Sequence, residues 1–266
     1  MRCLLLLFLL LATFVGSRAQ GLGIGYYDLD GLYDTIPSRF YNDDHFTPEG
    51  KNSWNSERYH RQVRNIAAVI DSMALPVVGL YGIENESVVR DLTSASQHDY
   101  SYVHRTRNSF DGQDFTLLYF ADQLFIDRVD VQRNMLIVEA SRANDSQIMI
   151  ILTRSGSDTI DYLEYYPTKL PTFILGNIYQ RDIDKLGMVN HLQQKELRGQ
   201  GNYSALRGWT MHDRIASSND QKILKSGVFI APWLLTSDNQ RPQPTLHSDG
   251  YIGGFSKYLP IFVYIP

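Results

Sequence analysis

Cysteine is almost missing from this chain. The one thiol, Cys3, lies at the very start of the 266 residues, inside a segment that reads as a removable leader. Without that leader no thiol remains, which excludes disulfides, thiolate metal sites and a cysteine nucleophile. A charge excess of one sign is also lacking. Lys and Arg number 25 against 29 Asp and Glu, for a formal net charge of −4. The molecule as a whole therefore has no bias toward nucleic acid or an anionic membrane. After the leader no apolar run is long enough to span a bilayer. There is no internal repeat, low-complexity tract or long linker. The seven histidines show no His-x-x-x-His spacing for a metal. His212 adjoins Asp213, but neighbours on a strand face opposite ways, so no dyad is expected there. No glycine loop has phosphate-cradling form, and Gly21 to Gly25 reads as the junction after the leader.

What is present begins with that leader. Arg2 supplies a positive end, Leu4 to Val15 an apolar run, and Ser17-Arg18-Ala19 small residues at a cleavage site. This pattern predicts a Sec-type signal peptide over residues 1–19, cleaved after Ala19, and a secreted or periplasmic domain over 20–266. That length suffices for one sizeable α/β domain whose core needs no disulfides.

Val63, Ile66, Ala67 and Ile70 follow the i, i+3, i+4, i+7 rule, which predicts an amphipathic helix from Ser56 to Ala74, ended by Pro76. Val77 to Tyr81 reads as a buried strand, and Ser87 to Leu92 as a second short helix. Further strands are predicted at Tyr100–His104, Phe115–Phe120, Met135–Ala140, Gln147–Leu152, Phe173–Leu175, Thr210–Ala216 and Leu259–Tyr264. Many are apolar on both faces, as in sheets covered by other layers.

The run Gly253-Gly254-Phe255-Ser256-Lys257-Tyr258-Leu259-Pro260 closely resembles the Gly-Gly-Tyr-Ser-Asp-His-Leu-Pro closing motif of the endonuclease/exonuclease/phosphatase family. Other pieces follow that family's order, and look closest to its exported bacterial branch. They are Phe46-Thr47-Pro48-Glu49-Gly50, Pro76-Val77-Val78-Gly79-Leu80 with Ile83-Glu84-Asn85, the run from Asp111 to Tyr119, and Gly208-Trp209 with Asp213. The resemblance covers about Ile24 to Tyr264. It implies a four-layer α/β sandwich, DNase I-like, in which two packed mixed β-sheets are flanked by helices. It also implies phosphoester hydrolysis with a divalent cation held through oxygen, a water-activating His oriented by Asp, and further groups on the phosphoryl oxygens.

Carried over one residue at a time, that machinery is degenerate. Asp28 stands at the family's Asn position, where a carboxylate still suits a metal and equally suits a turn. The main metal Glu is Gly82, which has no donor atom. Glu84 shares its strand face but lies about 7 Å further along. The phosphate-binding His is Ile150, in a frame fixed by Arg154 and Gly156. The Asp and Asn of the next strand end are Asn177 and Tyr179. Between Gly156 and that strand the family has a full helix, and only a short connection is expected here. The closing Asp-His pair is Lys257 and Tyr258. An ammonium repels a divalent cation, and a phenol with a pKa near 10 is a poor base at neutral pH.

Two classes of function follow. The first is a catalytically inactive binding protein with a remodelled cleft lined by Asp28, Glu84, Asn177, Tyr179, Lys257 and Tyr258. It needs no cofactor, and takes a small-molecule, glycan or protein ligand. In it, Lys257 is expected to pair with Asp28, Glu84 or both. The second is a divergent phosphoesterase dependent on Mg2+ or Mn2+, with Asp28 and Glu84 as residual metal candidates. Nucleic acid is a less favoured partner, through Arg39, Arg58, Arg61 and Arg64.

Overall fold

The computed structural model describes residues 21–266 apart from positions 108, 207, 239 and 249. The expected signal peptide and Cys3 lie outside them. The first elements are β1 (Leu22–Leu32), α1 (Ser56–Met73), β2 (Val77–Ile83), α2 (Glu86–Ala95), β3 (Ser101–His104) and β4 (Asp114–Tyr119). Next come β5 (Leu124–Gln132), β6 (Met135–Arg142), β7 (Gln147–Thr153), α3 (Gly156–Tyr165), β8 (Thr172–Gly176), α4 (Gln180–Lys185), β9 (Val189–Asn190) and α5 (Gln193–Leu197). The chain closes through β10 (Tyr203–Ala205), β11 (Gly208–Thr210), β12 (Arg214–Ser217), β13 (Lys225–Val228), β14 (Leu246–His247), β15 (Gly250–Tyr251) and β16 (Ile261–Ile265).

Twelve of these strands form two six-stranded sheets. One has the order β13-β16-β1-β2-β4-β3, the other β5-β6-β7-β8-β12-β9. Each contains one parallel pair, β1 with β2 and β7 with β8, and is otherwise antiparallel. The period of two along the strands sorts their side chains into layers. Ile24 and Tyr26 of β1 face the second sheet and meet Leu136, Val138, Ile150, Leu152, Phe173 and Ile215 in the central core. Tyr27 and Leu29 point the other way, onto Val63, Ile66 and Ile70 of α1. Met149, Ile151 and Ile174 cover the far side of the second sheet, under Tyr162 of α3 and Ile183 of α4. Helix, sheet, sheet, helix is the four-layer arrangement expected from the sequence.

Helix α1 starts at Asn55, whose side chain accepts the backbone N–H of Arg58, and stops at Ala74 in the left-handed region at φ 49°. Asn85 caps α2 through the N–H of Val88, two residues before the expected Ser87. Gly23 and Gly25 belong to β1 and are not a leader junction. A Cβ at either would lie 2.7 Å from a methyl of Leu75, so glycine there lets the end of the α1 connection close onto the strand. Strand β5 was not foreseen because Asp127, Arg128 and Asp130 break its apolar pattern. It is an edge strand, where charge is tolerated.

Two further expectations are corrected. The segment after Gly156 is a ten-residue helix, α3, capped by Ser155 onto the N–H of Asp158 at 3.2 Å. Its buried set is small, Gly156, Thr159 and Tyr162, too little to stand out as a helical period. The expected strand Thr210–Ala216 is interrupted. Thr210 ends a ribbon with β10, residues 211–213 turn, and β12 begins at Arg214. No helix among the described residues is long and apolar enough to cross a membrane.

Ile150 is fully buried in mid-β7, opposite Val138 and Phe173. Packing against the opposite sheet outweighs the family frame here, so Ile150 is core and does not line the cleft. Ile150→Ala is expected to cost about 2–5 kcal/mol in urea unfolding. A cleft-lining isoleucine would give a loss well under that range.

Candidate functional site

The carboxyl end of β1 and the segments after β7 and before β12 and β16 meet at one end of the sandwich. Asp28 is the hub. It is 2% exposed, accepts the N–H of Asp30 on Oδ1 at 2.9 Å, and pairs through Oδ2 with Arg154 Nη1 at 3.2 Å. The Arg154 guanidinium also lies 4.4 Å from the ring centroid of Tyr81, the residue that pairs with Asp28 across β1 and β2. Ser256 Oγ donates to the Asp28 carbonyl at 2.7 Å, which draws the closing loop onto the same point. Burial pushes the Asp28 carboxyl up to about 6, against the opposing pull of the Asp30 N–H and Arg154.

Lys257 does not reach Asp28 or Glu84. Its ammonium pairs with Asp30 Oδ1. Asp30 sits at φ 58° and Gly31 at φ 94°, within a register shift between β1 and β2. The chain bulges there, and Asp30 is carried to the side the closing loop approaches. Glu84 has a different task. It is 2% exposed, accepts the N–H of Asp34 at 2.6 Å and the Tyr41 hydroxyl at 2.9 Å, and so anchors the loop that follows β1. Gly82 has φ 93°, and a Cβ there would lie 2.9 Å from the Gly31 backbone nitrogen. A glutamate at this place would need the backbone around Gly31 and Gly82 rebuilt.

Tyr258 is 8% exposed. It stacks on His212 at 4.6 Å and 28° and lies 5.3 Å from the ring of Tyr203. Burial raises its phenol further from any use as a base. Asn177 donates through Nδ2 to the His212 carbonyl at 3.0 Å and lies 3.0 Å from Nε2 of the same residue. Tyr179 is 57% exposed at the start of α4, with Arg181 5.2 Å over its ring. That is a surface contact. Asp28, Asn177, Lys257 and Tyr258 are thus brought together, while Glu84 and Ile150 are placed elsewhere.

The sequence places His212 and Asp213 within an expected strand, where neighbouring side chains face opposite ways. In the turn before β12, both approach Asp28, and one ligand atom from each of the three lies within 4.8 Å of the others. Asp213 is fully buried. Its Oδ2 accepts from Asn202 Nδ2 at 2.8 Å, and its Oδ1 has no hydrogen-bond partner. Burial, then the nearby Asp28, push its carboxyl up to about 8. Burial and then Arg154, Lys257 and Arg214 bring the His212 imidazole down to about 4, so it is neutral. Gly82, where the resemblance leads one to expect the principal metal ligand, has no donor atom. The donor set the chain offers instead is Asp28, His212 and Asp213.

Glu84 supplies a test of the burial argument. Desolvation raises its carboxyl from 4.5 to about 8, so the folded state holds the proton more tightly than the unfolded chain. Stability from this group is full below about pH 4.5 and is lost as pH rises through about 8. Glu84→Gln is expected to flatten the fall in unfolding free energy over that window, measured by urea titration at a series of pH values. An unchanged slope would contradict the buried placement.

A model of the Endonuclease/Exonuclease/phosphatase family matches residues 23–169. None of the curated proteins compared with the chain matches it. Among solved structures, an endonuclease/exonuclease/phosphatase family protein from Bacteroides thetaiotaomicron superposes with a TM-score of 0.60 at 11% identity, covering 92% of this chain and 97% of that one. A mannosyl-6-phosphatase from the same species gives 0.59 at 12%, covering 91% and 98%. Truncated TDP2 from Caenorhabditis elegans gives 0.59 at 10%, covering 94% and 100%. At such identities these structures speak for the fold alone. With the family match spanning more than half of its length, the chain belongs to the endonuclease/exonuclease/phosphatase family.

Proposed function

We propose that this chain is an exported, non-hydrolysing member of its family that works by binding a ligand in the remodelled cleft. One observation carries this reading: the cleft carboxylates already have cations of their own, Arg154 on Asp28 and Lys257 on Asp30. The position of the principal metal ligand is a glycine in the left-handed region, and the position of the general base is a buried tyrosine stacked on a neutral histidine. Groups that act as one catalytic unit fail together when several are lost. Export follows from the leader pattern in residues 1–19.

Beside Lys257 the cleft opens into a cavity of about 580 Å3, whose lining includes Asp30, Tyr203, Arg241, Leu246, Ile252 and Lys257. An aromatic ring, apolar walls and charged hydrogen-bonding groups suit a sugar or another small polar molecule. Because one structural neighbour is a mannosyl-6-phosphatase, a phosphorylated sugar is the first ligand to try. Nucleic acid has less support. Arg61 pairs with Glu57 on the face of α1, and Arg58 lies over the ring of Tyr251, so both have structural partners.

The second reading, a divergent metal-dependent phosphoesterase, is favoured by the convergence of Asp28, His212 and Asp213. Hydrolysis assays separate the two. With p-nitrophenyl phosphate, bis-p-nitrophenyl phosphate and mannose 6-phosphate, in Mg2+ or Mn2+, turnover is expected at the buffer background. Chelator-sensitive turnover on the order of 1 s⁻¹, lost in Asp28→Ala, would overturn the non-hydrolysing reading.

A further inference from the structure

Two neighbouring loops at the cleft end of the sandwich present large apolar side chains to solvent. Ile36 and Phe40, in the loop after β1, are 70% and 71% exposed, and Phe110, in the loop between β3 and β4, is 98% exposed. The loops are tied together. The Tyr33 hydroxyl donates to the Asp111 carbonyl at 2.5 Å, and Gln113 Nε2 donates to the Tyr33 hydroxyl at 3.1 Å. Arg107 Nη1 donates to the Gln132 carbonyl at 3.1 Å, which fastens the turn between β5 and β6 to the same platform. Phe110 and Arg133 of that turn border one hollow.

The exposure is built into the backbone. Asp34 Oδ1 accepts the Ile36 N–H at 2.6 Å, Asp43 Oδ1 accepts the Ser38 N–H at 3.0 Å, and Ser38 Oγ accepts the Phe40 N–H at 3.2 Å. The loop is folded on its own polar groups, and its large apolar residues are left outside. Such side chains, grouped on one surface, mark a contact site. The same bonds occupy acidic groups. Asp34 and Asp43 hold backbone N–H groups, and Asp111 accepts from the Tyr81 hydroxyl and from Ser109 Oγ. Asp44 is the one acid of these two loops whose carboxylate has no such bond among the described residues. Arg39 and Arg133, by contrast, are exposed, and their guanidinium groups have no partner among the described residues.

We propose that this platform docks the protein on an anionic lipid bilayer, with Ile36, Phe40 and Phe110 entering the interfacial zone and Arg39 and Arg133 meeting lipid phosphates. Unpaired cations beside exposed apolar residues complement a negative surface. The net charge of −4 does not oppose this, because charges beyond a Debye length of about 8 Å are screened. Ile36 and Phe40 are separated by Pro37, Ser38 and Arg39, so they offer a protein no continuous apolar face. A fluid interface needs no matching shape. The docking role goes beyond the ligand-binding reading and does not rest on it.

The test uses the chain from Gln20 onward, because residues 21–266 carry both sheets and an uncleaved leader would itself enter a bilayer. The protein is expected to sediment with vesicles of phosphatidylcholine and phosphatidylglycerol. Partition onto phosphatidylcholine alone should be about tenfold or more weaker, and partition onto the anionic vesicles should fall as salt rises. Arg39→Gln and Arg133→Gln should each lower partition about fivefold. Phe110→Ser, and Ile36→Ser combined with Phe40→Ser, should each lower it about tenfold or more. Phe125→Ser is the control. That residue is also exposed, but it sits opposite Ser141 at the end of the sandwich away from the cleft, and partition should not change. Wild-type protein that stays in the supernatant at millimolar anionic lipid, that sediments equally with neutral vesicles, or whose partition survives the loop substitutions would overturn the proposal. A dimer in sedimentation velocity that the same substitutions dissolve would make a second copy the occupant, and would overturn it as well. If the variants do not fold, wild-type protein decides alone. On vesicles its amide hydrogen exchange should slow in peptides covering 34–43 and 109–113, and slowing confined to other segments would overturn the docking surface. Hydrolysis and sugar binding are read without vesicles, so the two readings fail separately.

Discussion

The ion pair between Asp28 and Arg154 joins the two sheets at the end of the sandwich onto which the closing loop folds. Asp28 is a carboxylate with almost no contact with water, on a strand of the first sheet. Arg154 follows β7 of the second sheet and is only partly exposed. Removing Arg154 would leave the Asp28 charge buried without its partner, which costs far more than the pair itself gains. Everything around it is arranged accordingly. Tyr81 gives the guanidinium an aromatic face, the Asp30 N–H gives the carboxylate a second donor, and Ser256 ties the closing loop to the same residue.

Around this pair, residues that the motif frame singles out hold the end of the sandwich together. Glu84 anchors the loop after β1 through Asp34 and Tyr41. Lys257 holds Asp30, which the β1 bulge carries toward it. Tyr258 fills space as an aromatic plate against His212 and Tyr203. Each of these is a packing or charge-balancing role, and each needs only a side chain of suitable size and sign. The reacting groups of a phosphoesterase need defined pKa values and sub-ångström placement. The first kind of requirement survives substitution far more easily than the second.

Much of the fold was legible along the chain. Long apolar strands such as β2 and β7, and the strict period of α1, reveal themselves because burial on a fixed face imposes a repeat. Segments with little burial gave no such repeat. Strand β5 is charged because it is an edge, α3 buries only a few residues, and the glycines of β1 look like a linker because they leave room for Leu75. In the cleft, the motif frame located Asp28, Asn177, Lys257 and Tyr258. It misplaced Ile150, because one arginine and one glycine fix a register loosely, and packing against the opposite sheet decided the matter.

The sequence by itself determined the four-layer class and the family. These depend on residue type and order, which are local properties of the chain. Only the tertiary structure decided which charges meet. Arg154 on Asp28, Lys257 on Asp30, and His212 with Asp213 beside Asp28 all join residues far apart in sequence. Their distances are set by the bulge after Asp28 and the turn before β12. Backbone irregularities of one or two residues redirect a side chain by ångströms, and Coulomb and hydrogen-bond energies at contact change steeply over that range.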